Sequence, residues 1–338
     1  MKINSKDRAK AQWDAADVPL LEVSDLKTWF EVKRGIFSRK AEQIRAVDGV
    51  TFSLMANETI GLVGESGCGK TTLGRTLLGL EAASGGSVFF RGEPLLTLSH
   101  RRMKAMRRRL QVVFQDPLSS LNPRMNVMDI VTEGLLQFRM LTDSREVHAK
   151  RLLREVGLDE EMIYRFPHEF SGGQRQRINV ARAISLRPDL IICDEAVSAL
   201  DVSIQAQVIN LLLSLQQRHH LSYLFISHDL SVVSNIADRI AVMYLGRIVE
   251  IGKTIDIIEK PLHPYTRMLI AAIPVAGQKR VDQEMVTGET PSPAAPPNGC
   301  HFHPRCPEAM PVCRHAEPPE AWKNGHYVCC HMYRPNSG

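Results

Sequence analysis

The sequence predicts an α/β fold built on a largely parallel sheet. Short apolar runs, typical of strands buried on both faces, recur along the chain. Amphipathic stretches with helical periodicity lie between them, and this alternation favours a parallel arrangement of the strands. The strand-like runs are residues 59–64, 110–115, 189–195 and 222–228, and the clearest helices follow Lys70 and begin near Ile204.

The composition is that of a globular protein. Of its 338 residues 44% are hydrophobic and 23% are charged, and the net charge is +5. This mild charge suits a protein near anionic lipid or nucleotide and does not require nucleic acid. The first residues lack the apolar segment of a signal peptide, and no run of eighteen apolar residues occurs. We therefore expect a cytosolic chain, or one bound to a membrane through partners.

The pattern divides the chain into three parts. Residues 1–18 are expected to form a flexible leader, residues 19–260 the α/β domain, and residues 261–338 a C-terminal extension. A helical subdomain is expected at about 118–178, where strong strand runs are absent. The extension contains a Pro-rich linker, expected to be extended, at 289–299. Smaller expected elements are a β-hairpin around Gly246 and a short helix at 263–274.

A phosphate-binding loop is the first chemical signal. The motif G-x-x-x-x-G-K-[ST] is matched between a strand-like run and a helix, the context it demands, which disfavours a chance Gly-rich turn. Backbone N–H groups and the helix N-terminus would bind phosphate oxygens, with Lys70 reaching the β- and γ-phosphates and Thr71 ligating Mg²⁺. Cys68 is expected to fill space rather than react. The expected ATP-binding residues here are Gly64, Glu65, Ser66, Gly67, Cys68, Gly69, Lys70, Thr71 and Thr72.

A pair of acids ends the apolar run that begins at Leu190. Strand ends in such sheets face the ligand crevice, so Asp194 is placed to hold Mg²⁺ and Glu195 to polarise an attacking water. Alone, the pattern is equally explained by a strand that ends at a charged loop. The phosphate loop in the same chain favours the catalytic interpretation.

The segment that indicates a family reads S-G-G-Q and consists of Ser171, Gly172, Gly173 and Gln174. One interpretation of this segment is an ordinary helix N-cap formed by Ser171. The backbone N–H groups at the start of such a helix could also bind an anion such as the γ-phosphate of ATP. With this signature shortly before the acid pair, residues 20–252 resemble the ATPase domains of ATP-binding cassette (ABC) proteins. The resemblance implies a P-loop NTPase fold with a RecA-like core and a helical subdomain.

Further roles come from the resemblance alone. Gln115 resembles the glutamine that senses Mg²⁺ and contacts the membrane subunit, which makes Thr71, Gln115 and Asp194 the implied Mg²⁺ ligands. His228 resembles the histidine that contacts the γ-phosphate, and Asp201 ends a segment similar to the family's D-loop. Glu195, His228 and Gln115 are thus the implied catalytic residues.

Two further features concern the adenine base and the loop after the acid pair. Phe30, or its neighbour Trp29, fits the aromatic residue that stacks on adenine, although an aromatic residue on a strand is more often part of a core. Ala196 departs from the proline common after the acid pair, which changes the loop and no catalytic group.

Three segments resemble the ATPases of oligopeptide/dipeptide importers, in particular the second ATPase subunit of OppF/DppF type. They are Phe114–Pro117 with the residues that follow, His263–Thr266, and the Pro- and Cys-rich tail. The resemblance implies a heterodimer with a second homologous ATPase, two transmembrane permeases, an extracytoplasmic peptide-binding protein, and a peripheral location at the cytoplasmic face of the inner membrane. Transport of nickel or another solute is an alternative.

Other classes of ATP-binding protein fit the sequence less well. An ABC ATPase of DNA repair or translation usually carries long coiled-coil insertions or two ATPase domains, and neither is evident here. A P-loop kinase or GTPase would lack the signature and the switch histidine. The basic run at 101–109 is better explained as a solvated helix face than as a nucleic-acid or lipid site, so no nucleic-acid partner is expected.

Five of the seven cysteines lie from Cys300 onward, spaced C-x5-C-x6-C-x15-C-C. Without a secretion signal, metal ligation is more plausible than disulfides, and thiolates can hold a [4Fe–4S] cluster or Zn²⁺. No pair has the C-x-x-C spacing of a zinc ribbon, and a tail without metal stays open. The resemblance implies a cluster on Cys300, Cys306, Cys313 and Cys330. Alternative ligands are His301, His303, His315 and His331. The few apolar residues in this segment predict little core.

Overall fold

The computed structural model describes residues 18–33, 41–273 and 290–333. The chain divides into two compact units. The first unit comprises residues up to Met55, Ile60–Leu96 and the chain from His228 onward, and the second comprises Ala56–Thr59 and Thr97–Ser227. The expected leader lies largely outside the described residues.

An antiparallel sheet in the first unit was not foreseen from the sequence. Its strands β1 (Leu21–Lys33), β2 (Ala41–Leu54), β4 (Gly85–Phe90) and β5 (Glu93–Pro94) have the order β2-β1-β4-β5. The register of β1 on β2 shifts between Val23 and Leu26, so the buried positions of β1 do not follow a strict period of two. The bulge hides this strand from a search for alternation.

The first unit also contains five strands in the order β11-β12-β10-β9-β3. They are β3 (Thr59–Val63), β9 (Arg239–Tyr244), β10 (Arg247–Lys253), β11 (Glu320–Lys323) and β12 (His326–Cys329). β3 and β9 pair in parallel, and the expected hairpin around Gly246 is present as β9 and β10. The helices of this unit are α1 (Lys70–Leu77), α8 (Leu230–Ser234), α9 (Thr254–Glu259) and α10 (Pro264–Ala271).

The second unit carries three parallel strands in the order β8-β7-β6. They are β6 (Leu110–Val113), β7 (Leu190–Asp194) and β8 (Ser222–Ser227). Every residue of β7 and β8 is buried, which explains why both read as continuous apolar runs. β6 is shorter than expected, and Gln115 therefore lies in the loop that follows it.

Six helices complete the described part of the second unit. They are α2 (His100–Met106), α3 (Pro117–Ser120), α4 (Val127–Gln137), α5 (Arg145–Glu155), α6 (Gly172–Ile184) and α7 (Val202–His219). Residues 114–189, all of which are described, contain helices and turns without a strand, as the helical insertion requires. Side chains cap the N-termini of α2, α4, α5 and α6, with Asn126 Oδ1 accepting from Asp129 N at 2.8 Å. On α2, Arg101 and Lys104 are exposed, as a solvated face predicts.

The cysteine-rich segment has a small core of its own, and it also joins the sheet of the first unit. β11 and β12 form a hairpin, and β12 pairs with β10 through Glu250↔Val328 and Ile251↔Tyr327. Ala321, Val328 and Cys330 form a buried cluster packed against Leu262 and Tyr333, and Phe302 and Cys313 are buried as well. The segment needs few apolar residues of its own because it extends a sheet that already exists.

Candidate functional site

The phosphate loop connects β3 to α1 through backbone that only glycine fits. Gly64 and Gly69 have φ values of 158° and 109°. A Cβ atom on Gly64 would lie 2.2 Å from the carbonyl oxygen of Met243, and one on Gly69 would lie 1.9 Å from that of Ala46. Glycine at both positions is therefore a requirement of this packing.

Lys70 begins α1 and is buried, with its charge directed into the loop. Its Nζ donates hydrogen bonds to the carbonyl oxygens of Gly64 at 2.8 Å and Glu65 at 2.9 Å. Cys68 is also buried, and burial raises the pKa of its thiol although the charge of Lys70 lowers it. A neutral thiol at this position agrees with the prediction that Cys68 fills space.

The acid pair lies at the end of β7, where the chain turns sharply. Asp194 is buried, whereas Glu195 is partly exposed and adopts a φ of 48°. Glu195 N donates to Ile226 O at 2.9 Å, and its own carbonyl accepts from Ser198 N at 3.1 Å. These bonds hold a conformation that is uncommon for a residue with a side chain, and such positions cluster at functional sites.

The structure brings two of the predicted catalytic residues together. Gln115 Nε2 donates to Glu195 Oε2 at 2.7 Å, across 80 positions of sequence. Gln115 is exposed in the loop after β6. A glutamine that holds the carboxylate of a candidate general base can fix the direction in which that base faces.

The S-G-G-Q segment forms the N-terminus of α6. Ser171 Oγ accepts from Gln174 N at 3.3 Å, and Gln174 Oε1 accepts from Ser171 N at 3.0 Å, which is a capping box. Ser171 and Gly172 are exposed, so N–H groups of the first turn can be reached by an anion. Asp201 occupies the corresponding N-cap position of α7 and is also exposed.

The remaining predicted residues belong to the first unit. His228 is exposed directly after β8. Phe30 is 37% exposed on β1, whereas the guanidinium carbon of Arg45 lies 4.9 Å from the ring centroid of its neighbour Trp29. Exposure makes Phe30 the more available of the two rings for stacking on a base.

The predicted site residues thus fall into two sets, each within one unit. The first unit holds residues 64–72, Phe30, His228 and the tail cysteines, and the second holds Gln115, Asp194, Glu195, residues 171–174 and Asp201.

Contacts from the C-terminal extension to the phosphate loop were missed by the sequence analysis. Arg305 donates to both carboxylate oxygens of Glu65, at 2.8 and 2.9 Å. Thr290 Oγ1 donates to the same carboxylate at 2.9 Å, and Glu65 N donates to the hydroxyl oxygen of Tyr265, also at 2.9 Å. Tyr265 belongs to the segment His263–Thr266, which was noted as a family feature without a role.

Of the four candidate cysteine ligands, Cys313 and Cys330 are buried and Cys300 and Cys306 are half-buried. Burial raises the pKa of Cys300 to about 11, and the charges of Cys313 and Cys330 raise it as well. The pKa of Cys306 is also raised to about 11 by burial, and by the charges of Cys300 and Cys330. Within the described ranges, however, no three or more His, Cys, Asp or Glu residues are arranged to hold a metal ion. The predicted [4Fe–4S] cluster is therefore not supported by this geometry.

Comparison with known proteins identifies the family. The family model for ABC transporter matches residues 47–198, and that for Oligopeptide/dipeptide transporter, C-terminal region, matches residues 249–313. The oligopeptide transport ATP-binding protein AppF of Bacillus subtilis (strain 168) is 49% identical over 320 residues, which cover 93% of this chain and 97% of AppF. The chain belongs to the ABC transporter ATP-binding proteins. OppF of Escherichia coli (strain K12) is 48% identical over 318 residues, covering 92% of this chain and 95% of OppF.

Solved structures of ABC ATPases share the fold. CbiO1 from Clostridium perfringens superposes with a TM-score of 0.62 at 24% identity, covering 72% of this chain and 92% of CbiO1. The ATP-binding cassette MJ0796, bound to ADP and Pi, superposes with a TM-score of 0.61 at 24% identity, covering 69% of this chain and 98% of MJ0796. The ABC ATPase fold, the family resemblance and the ATPase activity it implies are confirmed. None of the described helices has the length and apolar character needed to cross a membrane.

Proposed function

We propose that this ABC ATPase binds and hydrolyses ATP to energise the uptake of oligopeptides or dipeptides through membrane permeases. The main support for the proposal is that one chain contains both a phosphate loop and a C-terminal extension of the oligopeptide/dipeptide transporter type. The names of AppF and OppF support peptides as cargo rather than nickel or another solute.

Binding of ATP uses the phosphate loop. The ammonium group of Lys70 exchanges its two carbonyl acceptors for the β- and γ-phosphate oxygens, which carry more charge. Phe30 stacks on adenine, and Thr71, Gln115 and Asp194 provide ligands for Mg²⁺. When bound, Mg²⁺ neutralises the charge that develops on the phosphates.

Hydrolysis depends on Glu195. Its carboxylate, held by Gln115, orients a water for attack on the γ-phosphate and accepts the proton of that water. His228 donates a hydrogen bond to the γ-phosphate. Glu195 adopts a left-handed backbone conformation at the end of β7. This conformation fixes the point from which the carboxylate side chain extends.

A second ATPase is required for a complete cycle. Ser171, Gly172, Gly173 and Gln174 bind the γ-phosphate of the nucleotide held by a homologous partner subunit, and Asp201 contributes from the adjacent helix. We infer a heterodimer on two permeases, supplied by an extracytoplasmic peptide-binding protein, with this chain peripheral at the cytoplasmic face of the inner membrane.

The extension, residues 261–338, is proposed to bind a metal through Cys300, Cys306, Cys313 and Cys330. Residue type and number support the proposal, because four cysteines are the usual ligand set of an iron–sulfur cluster. A [4Fe–4S] cluster is preferred and Zn²⁺ is the alternative. Iron and sulfide analysis of protein purified without air distinguishes them; stoichiometric zinc, or no metal, contradicts the cluster.

The test of cargo uses the assembled transporter in proteoliposomes. Peptide supplied with its binding protein should stimulate ATP hydrolysis and accumulate inside, whereas nickel should do neither. If nickel alone stimulates ATP hydrolysis, nickel and not peptide is the transported solute. Recovery of the chain with DNA or ribosomes, and not with permeases, would favour a non-transport ABC ATPase.

A further inference from the structure

A negative charge lies inside the phosphate loop. Glu65 follows the first glycine of the motif, and its carbonyl oxygen accepts a hydrogen bond from Lys70 Nζ. Its carboxyl is ionised: burial raises its pKa, but hydrogen bonds from Arg305 and Thr290 and the charges of Arg305 and Lys70 lower the pKa below the ordinary value. An uncompensated carboxylate at this position would repel the phosphates of ATP.

The counter-charge comes from the C-terminal extension, 240 positions away in sequence. Arg305 meets the carboxylate of Glu65 through two parallel N–H···O bonds, the geometry in which an arginine–carboxylate pair is strongest. The Arg305 side chain is 8% exposed and the Glu65 side chain 26%, so water screens this pair less than it would a pair on the open surface. Arg305 therefore offsets the charge of Glu65.

Arg305 is held in place by a buried aromatic group. The ring of Phe302 lies 5.2 Å from that of Tyr244 and 5.4 Å from that of Tyr265, and all three are buried. The hydroxyl oxygen of Tyr265 accepts from Glu65 N. Phe302 thus anchors the extension beside the same loop residue that Arg305 contacts, and Arg305 N donates to Phe302 O at 3.0 Å.

We propose that the C-terminal extension sets the ATP affinity of this chain, with Arg305 as a positioning residue that neutralises Glu65 in the phosphate loop. The proposal rests on the proposed function of that loop in ATP binding. Arg305 acts on the binding of ATP through Glu65, and it takes no part in the chemical step. Its loss should therefore raise Kd and KM for ATP and leave kcat nearly unchanged.

The experiment measures Kd for Mg²⁺-ATP by calorimetry on the full chain. Arg305→Gln should raise Kd about 5- to 50-fold, which lies within the usual range of coupling between two sites. Glu65→Gln should lower Kd about 2- to 10-fold, because Arg305 then offers an unopposed positive charge to the phosphates. The double variant should bind ATP within about threefold of the wild type, since neither charge remains.

The matched control is Arg267→Gln. Arg267 belongs to the same extension and pairs with Glu308 at 2.6 Å, without contacting the phosphate loop. Its replacement should leave Kd unchanged. KM and kcat of the assembled transporter complete the comparison, with Arg305→Gln expected to change KM alone.

The outcomes distinguish failure of the proposed ATP-binding function from failure of the inference about Arg305. Lys70→Ala tests the proposed function: if it binds ATP like the wild type, the loop assignment and this inference both fail. If Lys70→Ala loses binding while Arg305→Gln keeps the wild-type Kd, only the inference fails. A double variant as weak as Arg305→Gln also overturns the charge argument. If Arg305→Gln does not fold, the Kd of Glu65→Gln tests the proposal instead. Weaker ATP binding by Glu65→Gln than by the wild type would contradict it.

Discussion

Replacing Glu195 by glutamine removes one negative charge at the end of β7 and preserves the shape of the side chain. Gln115 donates to Glu195 Oε2 at 2.7 Å, and the amide oxygen of a glutamine can accept the same bond. The backbone bonds to Ile226 and Ser198 do not involve the side chain. The free energy of unfolding should therefore change by about 1 kcal/mol or less.

Hydrolysis should respond far more strongly. A glutamine cannot accept the proton of the attacking water, and loss of a general base lowers the rate about 10²- to 10⁴-fold. That range corresponds to about 3–5 kcal/mol in the activation free energy. Affinity for ATP should stay at the wild-type value or increase, because a carboxylate has been removed from a site for an anion.

The assay is phosphate release by the assembled transporter, with ATP binding measured in parallel. Glu161→Gln serves as the control, because Glu161 is an exposed glutamate of the same unit that pairs with Lys150 at 3.3 Å. It should retain full activity. Turnover of Glu195→Gln close to that of the wild type would falsify the assignment of Glu195 as general base, and loss of ATP binding would contradict the argument that its fold is preserved.

Four further outcomes are expected. Lys70→Ala should weaken ATP binding about 10- to 100-fold, since it removes charge-assisted hydrogen bonds to phosphate, and calorimetry measures this. The isolated chain should hydrolyse ATP slowly, and its hydrolysis rate should increase when the partner subunits are added. Ser171→Ala should reduce this increase without changing the rate of the isolated chain. Fast turnover by a monomer would contradict the requirement for a partner. His326→Ala should lower the free energy of unfolding by about 3 kcal/mol in denaturant titration, because the fully buried Glu250 loses the partner 2.7 Å away. Cys300→Ser should abolish iron binding and destabilise the extension before it affects ATP binding, and iron retained by this variant would exclude Cys300 as a ligand.

The parts of the site that sequence predicts well are those determined by local backbone geometry. The phosphate loop is recognised because a strand, tight glycine turns and a helix N-terminus must follow one another within a few residues. The acid pair follows the same logic, since Asp194 is the last residue of a fully buried strand. The capping box at Ser171 is also local, because its two hydrogen bonds join residues three apart.

Other features lie beyond local patterns. β1 is absent from the strand-like runs of the sequence because its bulge near Asp25, which has a φ of 48°, breaks the alternation that marks a half-buried strand. The hairpin of β11 and β12 had one readable signal, the turn at Asn324 and Gly325, both with positive φ. Its strands are four residues long, and their stability comes from pairing with β10, which no local pattern shows.

The contacts of the extension suggest why an ABC ATPase would carry it. Glu250 of β10 accepts hydrogen bonds from Leu262 N at 2.7 Å and His263 N at 2.9 Å, and its carboxylate lies 2.7 Å from the ring nitrogen of His326. One buried carboxylate thus joins the start of the extension to its last strand. Arg305 lies between these two anchors in sequence, where it meets the phosphate loop. Since coupling between two binding events is reciprocal, an extension that strengthens ATP binding must itself be held more firmly when ATP is bound. The extension is therefore best understood as part of the ATP-binding apparatus of this chain rather than as an appendage to it.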